Sequence, residues 1–338
     1  MTHIFVALGQ NHINNFESLL RHQCIDAGTY VLIAPHGVSV HHSLWNTTII
    51  ASSSFDNQAN GRVQQISAIL AKAKEYKSII QKLATYKDNP ITIYVAYIED
   101  ILSNYLFFSY KKEASIVIVE DGTLNYYNHT LTNISGIRFK LKQAIAKYRG
   151  IPFKKYKGHS SGASDPRVKA QYLTFPKEAF ESKKAKQLPI KSYDIESLSN
   201  NLYIVGQEAF GNVIGQELFL QELSSYFKLL SEQPFCQEVS IIYYKPHRNG
   251  VRISKDFIQQ FFPEKKIHML HSKKTSEMLY FEELTCRYIS SFNSSTLMNI
   301  YAAMKDNTKT EVTYYVYPLM TDELTMLFKK LNFKFLKE

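Results

Sequence analysis

Ile116-Val-Ile-Val-Glu120-Asp121-Gly122-Thr123 is an aliphatic run that breaks without transition into two carboxylates and a glycine. Such a run predicts a short core strand, with the polar trio in the loop leaving its carboxyl end. The same pattern recurs toward the N-terminus. Strand candidates Ile4–Leu8, Tyr30–Ala34, Ile91–Ala96 and Ser115–Val119 alternate with helical patterns at Ile13–Gln23, Arg62–Tyr86 and Ile98–Tyr110. Strand–helix–strand order of this kind specifies right-handed βαβ units and a parallel sheet.

From Pro152 to about Asn201 the alternation breaks. Pro152, Pro166, Pro176 and Pro189 fall here with several Gly and Ser, which predicts irregular loops and an interdomain connection. It restarts with strand candidates Leu202–Val205, Val239–Tyr244, Lys266–Leu270, Tyr288–Ser291 and Glu311–Tyr317, again separated by helical stretches. The expected fold class is therefore α/β: two facing Rossmann-like domains with a cleft between them, residues 1–195 and 196–338. A single large doubly wound sheet is the alternative.

Composition fits this and narrows the setting. The 338 residues are comfortable for two domains, and 45% apolar with 21% charged is ordinary folded protein. Three scattered cysteines without a CxxC suit a reducing compartment. The N-terminal Met1-Thr-His-Ile-Phe-Val-Ala-Leu is too short an apolar run for a signal peptide, and nothing approaches ~18 uninterrupted apolar residues. A soluble, cytoplasmic protein is expected. Net charge is +10, and Arg138 to Lys157 contains no acidic residue. That segment predicts attraction to anionic lipid or acidic glycan, with possible peripheral placement at the inner membrane face, unless it is ordinary solvated surface. No zinc-finger, RNP or helix-turn-helix signature accompanies it, so no nucleic-acid partner is expected.

Three polar clusters share one address, the carboxyl end of a predicted parallel strand, where open α/β sheets bind ligands. Glu120-Asp121-Gly122 suits general base work, and suits equally a loop acid capping the next element. Lys245-Pro246-His247-Arg248 presents three cations at one strand tip, for proton donation or for holding phosphate. Asn293-Ser294-Ser295-Thr296 follows a strand and opens a helix, where hydroxyls cap the helix and free amides favour an anion. No Walker loop, GxGxxG, GxSxG or HExxH occurs, and no Asp-x-Asp, so neither a metal nor another cofactor is expected.

The order of these clusters resembles the bacterial sialyltransferases of GT-B fold, in glycosyltransferase families 52 and 80 and polysialyltransferase family 38. Those families share an Asp/Glu-Asp/Glu-Gly motif, a His-Pro motif and a later Ser/Thr pair. The matches here are Glu120-Asp121-Gly122, His247, and Ser294-Ser295. Gly206-Gln207 resembles the opening of their second domain, and Thr275-Ser-Glu277-Met-Leu279 resembles their Pro-x-Glu-x-Leu segment. Arg248 stands where those families carry proline.

The resemblance implies an inverting, metal-independent transfer of sialic acid from CMP-sialic acid to a galactoside or sialoside on lipo-oligosaccharide or capsule. It implies Glu120 as the base supported by Asp121, His247 as the donor to the departing phosphate, Ser294 and Ser295 as its holders, and Glu277 on the CMP ribose. Lys245, Gly206 and Gln207 complete the expected donor side. Two rival functions keep the same sequence features: transfer of another CMP-activated nonulosonic acid or Kdo, and non-catalytic polyanion binding.

Overall fold

The computed structural model describes residues 1–52, 62–130, 136–247, 250–272, 274–292, 294–319 and 321–337. The chain divides into two compact units, Met1–Ile190 and Lys191–Glu338.

The first unit holds seven strands: β1 (Thr2–Val6), β2 (Thr29–Ala34), β3 (Thr47–Ile50), β4 (Ile91–Val95), β5 (Ser115–Val119), β6 (Val168–Leu173) and β7 (Ala185–Gln187). Their order is β3-β2-β1-β4-β5-β6-β7, and every pair is parallel. Alternate side chains serve opposite faces. Ile4, Val6, Ile93, Ile116 and Ile118 pack under the helices Arg62–Leu83 and Gly136–Tyr148. Phe5, Leu32, Tyr94 and Val117 meet Ile13, Phe16 and Leu19 of the helix Gln10–Arg21.

The second unit holds β8 (Ser199–Val205), β9 (Ile241–Lys245), β10 (Lys266–Met269), β11 (Cys286–Ser291), β12 (Thr313–Val316) and β13 (Lys334–Phe335). Its order is β10-β9-β8-β11-β12-β13, again all parallel. In both sheets the chain starts at the centre, works to one edge, and then returns to the other side of its first strand. Each sheet thus has a switch point, between β1 and β4 and between β8 and β11, where a crevice opens at the strand carboxyl ends.

One expectation is corrected. The Pro-rich stretch 152–201 is not mainly a connection, because it supplies β6 and β7 to the first sheet. Pro166 and Pro176 lie outside β6 and bracket Val168-Lys-Ala-Gln-Tyr-Leu173 without interrupting its ladder. The Ser-rich turn before β6 is also built in: Ser160 and Ser161 are buried, and Ile98 N–H donates to Ser160 O at 3.0 Å. Among the described residues no helix is long and apolar enough to cross a membrane.

Candidate functional site

Glu120 and Asp121 leave the end of β5 as adjacent residues with opposite surroundings. Glu120 is 3% exposed. Its Oε2 accepts from the Tyr126 hydroxyl and from Thr174 N–H, each at 2.5 Å, and its Oε1 accepts from Thr174 Oγ1 at 3.0 Å. Burial pushes its carboxyl up to about 7, although these donors pull it down. The Asp121 side chain is 34% exposed and accepts from His12 Nε2 at 2.8 Å. His12 Nδ1 in turn accepts from Leu8 N–H at 3.1 Å, so Nε2 carries the imidazole proton that points at Asp121. Asn125, fully buried, accepts from Asp121 N–H at 3.2 Å and fixes the turn. Of this pair at the end of β5, Asp121 is the reachable carboxylate and stands on a buried one.

The second unit gathers the rest. Gln207, at the end of β8, donates through Nε2 to Ser294 Oγ at 2.9 Å, a bond that spans the β8/β11 switch point. Ser294 also accepts from Thr296 N–H at 3.2 Å and so caps the helix Ser295–Ala303, with half-buried Ser295 as its first residue. Glu277 lies in the short helix Ser276–Leu279 and accepts from Asn299 Nδ2 at 2.9 Å, which aims it from the neighbouring helix. Lys245 ends β9 and donates to Ser272 O, and burial lowers its ammonium below the ordinary lysine value. Arg248 and Asn293, members of two of the sequence motifs, lie outside the described residues.

Glu208 is the residue that sequence reasoning missed here. It is 1% exposed, and its two oxygens accept from the Tyr244 hydroxyl and from His247 N–H, both at 2.6 Å. One buried carboxylate thus ties the loop after β8 to the loop that carries His247. Gly206 must be glycine, because a Cβ there would stand 2.6 Å from Glu208 Oε2 and 2.8 Å from the Tyr244 hydroxyl. Both atoms are held by hydrogen bonds, so neither yields easily. Gly206→Ala should cost about 1–3 kcal/mol by overpacking. Urea unfolding followed by far-UV circular dichroism would register it, and an unchanged midpoint would mean the loop has slack.

No protein-family model and no curated protein matches the sequence. Solved structures do match. A UDP-N-acetylglucosamine 2-epimerase assignment from Listeria monocytogenes superposes with a TM-score of 0.51 at 12% identity, over 97% of this chain and 81% of that one. Trehalose-6-phosphate synthase from E. coli, bound with UDP-2-fluoro glucose, superposes with a TM-score of 0.51 at 9% identity, over 98% and 91%. The fold is GT-B.

In GT-B terms each Rossmann-like half contributes its own switch point. That of the second unit collects Gly206, Gln207 and Ser294, with Lys245 at the end of the adjacent strand β9 and His247 in the loop that follows it. The loop-end residues of the first unit are His12 after β1, Asp121 after β5 and Thr174 after β6. His12 escaped the sequence reading because it sits inside the first turn of a helix, four residues beyond Leu8, the loop residue whose N–H it accepts from. The usable signal was that the first strand of each half runs into Gly-Gln, Gly9-Gln10 and Gly206-Gln207. Among the described residues no group of three His, Cys, Asp or Glu side chains is arranged to hold a metal ion.

Proposed function

We propose that this chain is an inverting glycosyltransferase that moves a sialic acid from CMP-sialic acid to a glycan hydroxyl without a metal. The observation that carries the reading is the Gln207–Ser294 bond across the switch point. It joins two motifs that are far apart in sequence at the position where such sheets take a nucleotide. The same second unit offers Glu277, aimed by Asn299, for the ribose diol. It also offers the N-terminus of the helix Ser295–Ala303 for a phosphate, where free amides and the helix dipole favour an anion. A monophosphate leaving group needs less countercharge than a diphosphate, in keeping with a chain that has no Asp-x-Asp.

On this reading Asp121 takes the proton of the acceptor hydroxyl, and that oxygen attacks the anomeric carbon. The carbon–oxygen bond to CMP breaks, its electron pair stays on the phosphate, and His247 hydrogen-bonds or protonates that oxygen. Asp121 has the role that the motif order first suggested for Glu120. A base must touch its substrate. Glu120 is enclosed and its oxygens are engaged by Tyr126 and Thr174, whereas Asp121 is open and oriented by His12. Glu120 then shapes the turn that presents Asp121.

Calorimetric titration with CMP and UDP is the direct test of the donor. CMP should bind in the micromolar range, and Ser294→Ala and Glu277→Gln should each weaken it about tenfold or more, while UDP binds poorly. Binding of UDP in preference to CMP would reject the donor assignment. A panel of CMP-linked nonulosonic acids and Kdo with galactoside and sialoside acceptors, read by mass spectrometry, then separates sialic acid from its relatives.

A further inference from the structure

The helices Arg62–Leu83 and Gly136–Tyr148 pack against each other over the same face of the first sheet. Together with the segment running on to Lys157, they contain thirteen basic residues and one acidic residue, Glu75. This layer therefore carries a net +12, more than the +10 of the whole chain, and the remainder is slightly acidic. Glu75 is itself occupied, accepting from Ser52 Oγ at 2.8 Å. Lys74, Lys77, Lys140, Lys147, Lys154 and Lys155 are exposed, and none is ion-paired among the described residues. Lys154 donates only to a backbone carbonyl, that of Phe108, at 3.3 Å.

An apolar feature stands in the middle of this charge. Tyr148 is 77% exposed at the end of its helix, with the Arg149 guanidinium 5.3 Å from its ring centre. Beside it Lys147, Lys154 and Gln143 flank a shallow notch of about 370 Å³ whose apolar lining is the exposed Pro152 and the edges of the buried Ile151 and Phe153. We propose that this layer is a docking surface for a lipid bilayer bearing anionic headgroups. Lysines held at such a surface gain from its negative potential. An exposed tyrosine amid them seats at headgroup depth, where its ring is buried and its hydroxyl stays wet. A nucleic acid or a free polyanion would use the lysines and gain nothing from the apolar notch. The surface is independent of the donor chemistry, so its test requires no nucleotide sugar.

The full chain is mixed with phosphatidylcholine vesicles containing 30 mol% phosphatidylglycerol, and with pure phosphatidylcholine vesicles, then sedimented at 50 and 500 mM salt. Binding is expected to the anionic vesicles alone and to fade at high salt. Each lysine at such a surface is worth about fivefold (~1 kcal/mol), so removing the three charges of Lys147, Lys154 and Lys155 costs on the order of a hundredfold, and their reversal should weaken binding by at least that much. Tyr148→Ser should weaken it several-fold with the salt dependence unchanged. Reversal of Lys329, Lys334 and Lys337, exposed lysines of the second unit, should leave it intact. Equal losses from the two triple variants would reduce the effect to net charge and overturn the proposal. So would binding to soluble heparin as tight as to the vesicles, or indifference to Tyr148→Ser.

Discussion

Asp121→Asn is expected to lower the rate of sugar transfer by about 10²–10⁴-fold, while Glu120→Gln keeps most of it. The range is that of a removed general base. The pair is informative because each substitution preserves the shape of its site. An asparagine at 121 still offers Oδ1 to the His12 Nε2 proton, so the turn and the fold should persist. What disappears is the lone pair that can be protonated. A glutamine at 120 can accept from Tyr126 and Thr174 N–H with its carbonyl and donate to Thr174 Oγ1 with its amide. Turnover numbers at saturating donor, with binding of CMP measured alongside, decide the matter. If Glu120→Gln is the dead variant and Asp121→Asn retains more than a tenth of the rate, the base is the buried carboxylate.

The contribution of Glu120 to protein stability should fall as pH rises from about 4.5 to about 7, and Glu120→Gln should remove that contribution. Glu120 titrates near 7 in the fold against an ordinary 4.5, chiefly because burial penalises its charged form. Between those values the folded protein keeps a proton that the unfolded chain has given up. The folded state therefore binds more protons, and the slope of stability against pH is negative there. Below the window both states are protonated, and above it both are ionised, so the contribution is flat on either side. At 1.36 kcal/mol per pH unit the full difference is roughly 3 kcal/mol. Trp45 makes the measurement specific: it is the chain's single tryptophan, it is buried, and it belongs to the same unit as Glu120. Urea midpoints from its fluorescence should diverge between wild type and Glu120→Gln as pH rises. Parallel curves from pH 4.5 to 8 would mean that Glu120 ionises as freely in the fold as outside it.

Much of the α/β architecture was legible because apolar runs such as Ile116–Val119 are short, branched and bounded by turn residues. Four strands escaped, Thr47–Ile50, Val168–Leu173, Ala185–Gln187 and Lys334–Phe335, because they are short, polar or flanked by breaking residues. Val168–Leu173 lies between two prolines, and Lys334–Phe335 is too short to show alternation. At the candidate site the loop-end clusters were visible, since strand ends followed by Gly, Glu, Ser or His are local patterns. Partnerships across the sheet were not. Nothing in the sequence says that Glu208 reaches His247 N–H, or that His12 reaches Asp121, because those contacts depend on which strands become neighbours. The relative openness of Glu120 and Asp121 was hidden for the same reason: Thr174, which encloses Glu120, arrives on β6.

The strand order has a kinetic consequence. Within each sheet the pair flanking the switch point has the widest sequence separation of any paired strands, with Thr2 opposite Ile91 in one and Leu202 opposite Tyr288 in the other. Closing such pairs requires the largest loss of chain entropy before any contact rewards it, and topology of this kind slows folding. The crevice where a nucleotide would sit is thus also the seam that is hardest for the chain to close. A ligand that bridges β8 and β11 would hold that seam shut, and its first measurable effect on the protein should be slower unfolding.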